Sequence, residues 1–222
     1  MPYKLVFIGS TGGAVLSRLL SHQHIRTMVH EVVSDRACGF LQVASQHHLP
    51  VCEITSASGA QFSDALWQRY GDNHRLIFIS FYTRLFSGVF LEKNQGLIFN
   101  NHPSLLPSFK GMQGFEDTLN SSALFMGCSF HQVDAGIDSG KCVIQAALPL
   151  DRSLPQGVNR HKIFIAQYYV LLQFIKWLHD ERFSINQDGR PEFTQMKYDI
   201  GPFSPCLDSD FFTFHQLTNE LF

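Results

Sequence analysis

The sequence predicts an α/β fold: a mostly parallel, Rossmann-like sheet flanked by helices, with an antiparallel strand extension on its C-terminal side. Three observations lead there. Short β-rich runs alternate with helix-length segments through the first hundred residues, the pattern of βαβ units. The first run ends in the glycine-rich turn Gly9-Ser10-Thr11-Gly12-Gly13-Ala14, where such units present backbone N–H groups to an anion. Two later β-rich runs are joined by an Asp/Gly-rich connection, which suits an antiparallel pair around a functional loop.

In chain order, strands are expected over residues 3–8, 28–33, 49–54 and 76–80. The first three lead into helical patterns over 13–21, 36–47 and 61–70. A fifth strand, 97–100, runs into a proline-bounded loop. The antiparallel pair is 124–133 and 141–148, separated by Asp134-Ala135-Gly136-Ile137-Asp138-Ser139-Gly140. After Pro155-Gln156-Gly157 comes the longest helical pattern, with Phe164, Tyr168, Leu171, Leu172, Ile175 and Leu178 on one apolar stripe that should pack on the core. The remainder, 183–222, carries Pro191, Pro202 and Pro205 and reads as irregular, with Phe203, Phe211, Phe212 and Phe214 placed to cap the core. With no repeat or linker in view, the expectation is a single domain over 1–222. It divides into a nucleotide-binding-like half (1–99), a second half (100–182) and the tail (183–222).

Composition narrows the function classes. The 222 residues include 17 Lys+Arg against 19 Asp+Glu, a formal charge of −2, and 11 His; 45% are hydrophobic and 21 are Phe, enough for a substantial core. A near-neutral chain lacks the electrostatic footprint of phosphate-neutralising nucleic-acid binders, so no nucleic acid is expected as partner. The five cysteines are odd in number and widely spaced, without a CxxC pair. That excludes a disulfide framework, fits a reducing compartment, and leaves no metal expected. The apolar run after Lys4 is far shorter than the ~7–15 residues of a signal peptide. No stretch approaches the ~18 apolar residues of a membrane span. The reading is a cytoplasmic protein without a membrane partner.

Two places offer chemistry. The first turn could hold a phosphate or carboxylate, and Asp35 behind the second strand could serve as a ribose-binding acid, which would make the chain an NAD(P)-binding reductase or epimerase. That reading leaves the centre unexplained: Asn100-Asn101-His102-Pro103-Ser104-Leu105-Leu106-Pro107-Ser108-Phe109-Lys110-Gly111. Asn100 and His102 fall two apart at a strand's carboxyl end, so they share a face where ligands bind in open α/β sheets. Pro103 and Pro107 stiffen the loop beyond. Adding Asp138 gives a set suited to acyl transfer. The carboxylate orients and charges the imidazole, while imidazolium and amide donate to a developing oxyanion.

NNHPSLLPSFKG, together with the later GCSFHQVDAGIDSGKCVIQ, resembles the folate-dependent formyltransferases, and within them the glycinamide ribonucleotide (GAR) formyltransferases of purine synthesis. The resemblance covers about the first 180 residues. It implies the formyltransferase fold and transfer of a formyl group from 10-formyltetrahydrofolate to a primary amine. On its terms Asn100, His102 and Asp138 match the catalytic residues, and Arg84, Phe86, Leu91 and Ile98 match positions lining the folate pocket. The loop from Gln132 through Val133 and Asp134 to Ile137 matches the pterin-binding loop, and His131 a histidine read as supporting it. Gly12, Gly13, Pro103 and Gln167 fall where the acceptor would bind. Three departures lie on that acceptor side. Gly12-Gly13-Ala14 replaces a Gly-Ser-Asn phosphate grip, Gln167 replaces an acid, and Phe115 stands where histidine is common. They open an alternative, an N-formyltransferase acting on a nucleotide-linked amino sugar or a modified amino acid; a non-catalytic folate-binding module is the reading of another class. The partners implied are folate and a small-molecule amine, with the chain a monomer or homodimer.

Overall fold

The computed structural model describes residues 3–187 and 190–209. β1 (Lys4–Gly9), KLVFIG, has no polar side chain after Lys4, and its last five residues are buried. Such a strand has to be covered on both faces. It lies inside an eight-stranded sheet of order β10-β7-β6-β5-β4-β1-β2-β3. The other strands are β2 (Val29–Ser34), β3 (Val51–Glu53), β4 (Leu76–Phe81), β5 (Ile98–His102), β6 (Phe125–Gln132), β7 (Cys142–Pro149) and β10 (Phe203–Ser204). β1 to β5 pair in parallel, whereas the pairs β5–β6, β6–β7 and β7–β10 are antiparallel. This is the mostly parallel sheet with antiparallel extension that the sequence predicts.

The helices occupy the crossovers. From β1 the chain moves one way along the sheet through α1 (Ala14–Leu20) to β2 and α3 (Gly39–Gln46) to β3. It then returns through α4 (Gly59–Tyr70) to β4 and α5 (Gly88–Lys93) to β5. Right-handed crossovers place the two sets on opposite faces; accordingly α1 packs against α3, and α4 against α5. The strand order reverses between β1 and β4, and the carboxyl ends of those strands form a crevice at the switch point.

The structure departs from the sequence expectation in several places. α2 (Gln23–Met28), α5 and α6 (Gly114–Asn120) are absent from that expectation, because helices of six or seven residues are too short to show periodicity. With α5, the run at 76–80 also leads into a helix. α3 starts at Gly39 rather than residue 36. The single stripe expected on α7 (Gln156–His179) is too narrow: from Ile165 to Leu178 only Gln167 and Lys176 are not buried, so the helix is embedded nearly all round. The tail is not simply irregular. β8 (Phe183–Ile185) pairs with β9 (Pro191–Phe193), β10 extends the main sheet, and Phe203 is buried in the core as expected. Phe211, Phe212 and Phe214 lie outside the described residues. Among those described, no helix is long and apolar enough to cross a membrane.

Candidate active site

β5 extends through His102, so Asn100 and His102 project from one strand with Asn101 on the opposite side. Asn101 turns away towards α7, where its Nδ2 donates to the Gln167 carbonyl (3.0 Å) and its own carbonyl accepts from Gln167 Nε2 (2.9 Å). Because β6 runs antiparallel to β5, His131 lands opposite Asn100. The connection between β6 and β7 then starts directly beside the face that carries Asn100 and His102. Asp138, at the far end of that connection, adopts a left-handed backbone (φ 45°), a conformation Asp tolerates better than most side chains.

The four groups converge. Asp138 Oδ2 lies 3.3 Å from His102 Nδ1 and accepts a 2.8 Å hydrogen bond from the Gly111 N–H. Its Oδ1 lies 3.4 Å from His131 Nε2 and 3.5 Å from Asn100 Nδ2. Asn100 Nδ2 is also 3.3 Å from His131 Nε2. The imidazoles are anchored on their outer sides: His102 Nε2 donates to the Phe109 carbonyl (2.8 Å) and His131 Nδ1 to the Gln132 carbonyl (2.7 Å). His131 therefore braces the start of the loop, in keeping with its strand position. Burial opposes ionisation of Asp138. The His131 hydrogen bond, the Gly111 N–H and the positive charge available on both imidazoles outweigh it, and the carboxyl falls to about 2. α6 comes close enough that only glycine fits at 114: a Cβ there would lie 2.6 Å from His102 Nε2 and 2.7 Å from the Phe109 oxygen.

These groups line a cavity of about 500 Å³ at the switch point. Its mouth carries exposed apolar side chains, Leu85, Met112 and Ile137, beside Arg84, Phe86, Val133 and Asp134. Thr11, Ser80, Phe81, Thr83 and Pro103 add uncharged, partly hydroxylated side chains to the lining. Of the residues assigned from sequence, Asn100, His102, Asp138, Arg84, Phe86, Val133, Asp134 and Pro103 thus share one space. Leu91 and Ile98 lie behind it in the core. Gln132 turns to a second hollow beside Lys141 and Thr194. Gln167 is held by the Asn101 backbone instead of facing the cavity, and Phe115 is buried under the Arg160 guanidinium. Gly12 and Gly13 are not among the cavity's lining residues either; Gly13 is buried against the loop before α3, whereas Gly12 is exposed. Phe40 N donates to the Thr11 carbonyl (2.9 Å), and a Cβ on Gly39 would meet the Gly12 oxygen at 2.9 Å.

Phe81 and Thr11 escape a reading of the sequence, since nothing in their spacing marks them; only the strand order brings the ends of β1 and β4 together. Asp35 is not available to a ribose. Its buried carboxylate is gripped by Arg36 (2.7 Å to each oxygen), paired with Arg84 (3.1 Å) and approached by the Tyr82 hydroxyl (3.4 Å). The Arg36 hydrogen bonds hold it below its ordinary pKa although burial opposes them.

Comparisons with known proteins agree with this fold. Residues 3–162 match the family model described as formyl transferase. Among curated proteins, the chain is 27% identical over 115 residues to the human trifunctional purine biosynthetic protein adenosine-3, covering 52% of this chain and 11% of that one. It therefore spans about a tenth of the length of such relatives. It is 28% identical over 166 residues to the phosphoribosylglycinamide formyltransferase of Mycobacterium tuberculosis, covering 67% of this chain and 72% of that one. Among solved structures, glycinamide ribonucleotide transformylase 1 from Symbiobacterium toebii superposes with a TM-score of 0.74 at 26% identity, covering 86% of this chain and 94% of that chain. The phosphoribosylglycinamide formyltransferase from Anaplasma phagocytophilum does so at 0.73 and 23% identity, covering 90% and 97%, a likeness of fold.

Proposed function

The chain belongs to the formyl transferase family, and from that premise we propose that it moves a formyl group from 10-formyltetrahydrofolate to a primary amine of a small-molecule acceptor, with GAR the first candidate. The observation that carries the proposal is the convergence of Asn100, His102 and Asp138 on one cavity wall. The cavity fits the donor, because apolar Leu85, Met112 and Ile137 at the mouth suit an aryl ring, and Arg84, Phe86, Val133 and Asp134 would hold the rest. Bound there, the donor supplies a formyl carbon open to attack by an amine.

The chain's own residues divide the work. Asn100 Nδ2 makes only long contacts, 3.3 Å and 3.5 Å, so its N–H groups can turn to negative charge developing on the formyl oxygen. His102 has both nitrogens engaged, Nε2 by the Phe109 carbonyl and Nδ1 by Asp138. A carboxylate can only accept, so the Nδ1 contact is a hydrogen bond when that nitrogen carries a proton. A carboxyl that titrates near 2 is a poor proton carrier at neutral pH, where an effective acid or base has a pKa close to the working pH. Asp138 therefore stabilises positive charge, and His102 Nδ1 is where a proton from the attacking amine is held until it passes to the folate nitrogen, which leaves as its bond to the formyl carbon breaks. Of the other readings, the reductase is disfavoured by the fully paired Asp35.

The deciding experiment measures formyl transfer to GAR, to nucleotide-linked amino sugars and to hydroxyornithine, with His102→Ala beside the parent chain. Product with at least one amine, reduced about 10²–10³-fold in the variant, is the expected outcome. No product with any of them, together with no folate binding, would overturn the proposal.

A further inference from the structure

A cluster of hydrogen bonds lies outside the cavity yet ends on the catalytic residues. Residues 103–111 supply the two backbone groups that fix the site, the Phe109 carbonyl on His102 and the Gly111 N–H on Asp138. The other end of that loop is clamped by side chains from two neighbouring strands. Ser129 on β6 donates through Oγ to the Ser104 carbonyl (2.7 Å) and accepts from the Leu106 N–H (3.0 Å). Gln145 on β7 donates through Nε2 to the Leu106 carbonyl (2.9 Å) and to Ser129 Oγ (2.8 Å). Both hydrogens of the amide nitrogen are used, and the serine hydroxyl is saturated with one donation and two acceptances. Ser104 Oγ passes the constraint on, lying 3.0 Å from both the Ser108 and Phe109 carbonyls.

The sheet register explains why this works. His102 pairs with Ser129 across β5–β6, and Ser129 pairs with Gln145 across β6–β7, so the three form one transverse row with side chains on the same face. Neither Ser129 nor Gln145 lines the cavity. We propose that Gln145 is a positioning residue for formyl transfer, acting through Ser129 and Leu106 on the Phe109 carbonyl and Gly111 N–H that orient His102 and Asp138. The kinetic part rests on the proposed formyl transfer; the geometric part does not.

The test is Gln145→Met, which keeps length and bulk but cannot donate. Steady-state kinetics from about pH 5.5 to 9 are combined with NMR titration of the imidazoles. The titratable groups facing His102 are Asp138 and His131; exposed His74 serves as the internal reference. The variant should fold, lose at least about tenfold in kcat with donor and acceptor KM within about threefold, and show displaced titrations for His102 and His131 but not for His74. Unchanged kcat would overturn the proposal, as would a fall in kcat with both imidazole titrations unmoved, since a merely structural role would leave those alone. If Gln145→Met does not fold, Ser129→Ala cuts the same link and is read the same way. Were the parent chain to show no formyl transfer, the proposed activity would fall, while displaced or unmoved titrations would still decide whether Gln145 sets the site.

Discussion

Asp138→Asn removes one charge from the centre of the site and nearly nothing else. Asparagine keeps the shape and can still accept from the Gly111 N–H through Oδ1. It loses the negative charge 3.3 Å from His102 Nδ1 and 3.4 Å from His131 Nε2. The carboxyl is held below its ordinary 3.8 at about 2, and each unit corresponds to about 1.4 kcal/mol. The stabilisation at neutral pH is therefore at most about 2–3 kcal/mol, and about 1–2 kcal/mol once partial solvation is allowed for. For a chain of this length that is roughly 2–8 °C in Tm. A depressed carboxyl pKa contributes stability above the unfolded value and loses it as pH falls through the folded one. The Tm gap between parent and variant should thus be present above about pH 5 and close between about pH 4 and 2. Turnover should fall further than stability, about 10²-fold or more, because the charge that holds the proton on His102 is gone. The assay is formyl transfer from a chromophoric folate analogue, beside thermal melts across that range. A variant within about threefold of the parent in kcat/KM, or a Tm gap that widens as pH falls from about 4 to 2, would refute the reasoning.

Three further outcomes rest on the same geometry. Gly114→Ala puts a methyl against the His102–Phe109 hydrogen bond, so kcat should drop at least about tenfold while melting temperature moves only a few degrees; equal kcat would show that α6 simply moves aside. Glu31, buried on β2, accepts from Arg69 Nε (2.6 Å), Arg69 Nη2 (2.5 Å) and the Tyr70 hydroxyl (2.5 Å). Burial opposes its ionisation, but these donors depress its pKa. Glu31→Gln should cost about 1–3 kcal/mol in a melt at pH 7, less below about pH 4, with kcat unchanged because the cluster is outside the cavity. Among the cavity's lining residues the guanidinium is that of Arg84, which already pairs with Asp35 and donates to the Ser56 carbonyl. Removing the phosphate from GAR should therefore cost less than about tenfold in kcat/KM, whereas charge-assisted phosphate contacts would cost about 10–10².

Much of the fold was legible because its strands are short apolar runs punctuated by glycine and proline, which is local information. The short helices were not legible, since fewer than two turns leave no period to detect. Full burial of α7 was hidden for another reason. Its apolar residues continue round the helix, and whether a second face is covered depends on elements more than a hundred residues away. In the site, Asn100, His102 and Asp138 could be picked out by residue type and strand position. The groups that aim them could not. The Phe109 carbonyl and Gly111 N–H are backbone atoms, present at every position, and only the folded loop decides which of them face an imidazole or a carboxylate.

Topology explains why the site needs the antiparallel extension. Reversing direction at β6 brings His131 opposite Asn100 and starts the loop leaving β6 beside Ile98, where the Val133 N–H donates to the Ile98 carbonyl (2.9 Å). From there the loop folds back over Asn100 and His102. Asp138 then arrives from a connection of nine residues, 133–141, between β6 and β7. The same reversal places Ser129 and Gln145 in the row of His102. The parallel half thus supplies the crevice, and the antiparallel half supplies the carboxylate and the brace. A swap of the β6–β7 loop removes Asp138 together with the cavity residues Val133, Asp134 and Ile137, so it should abolish turnover and weaken folate-analogue binding as well. Asp138→Asn alone should lower kcat with that binding retained within about tenfold; loss of binding in the point variant would overturn this division of labour.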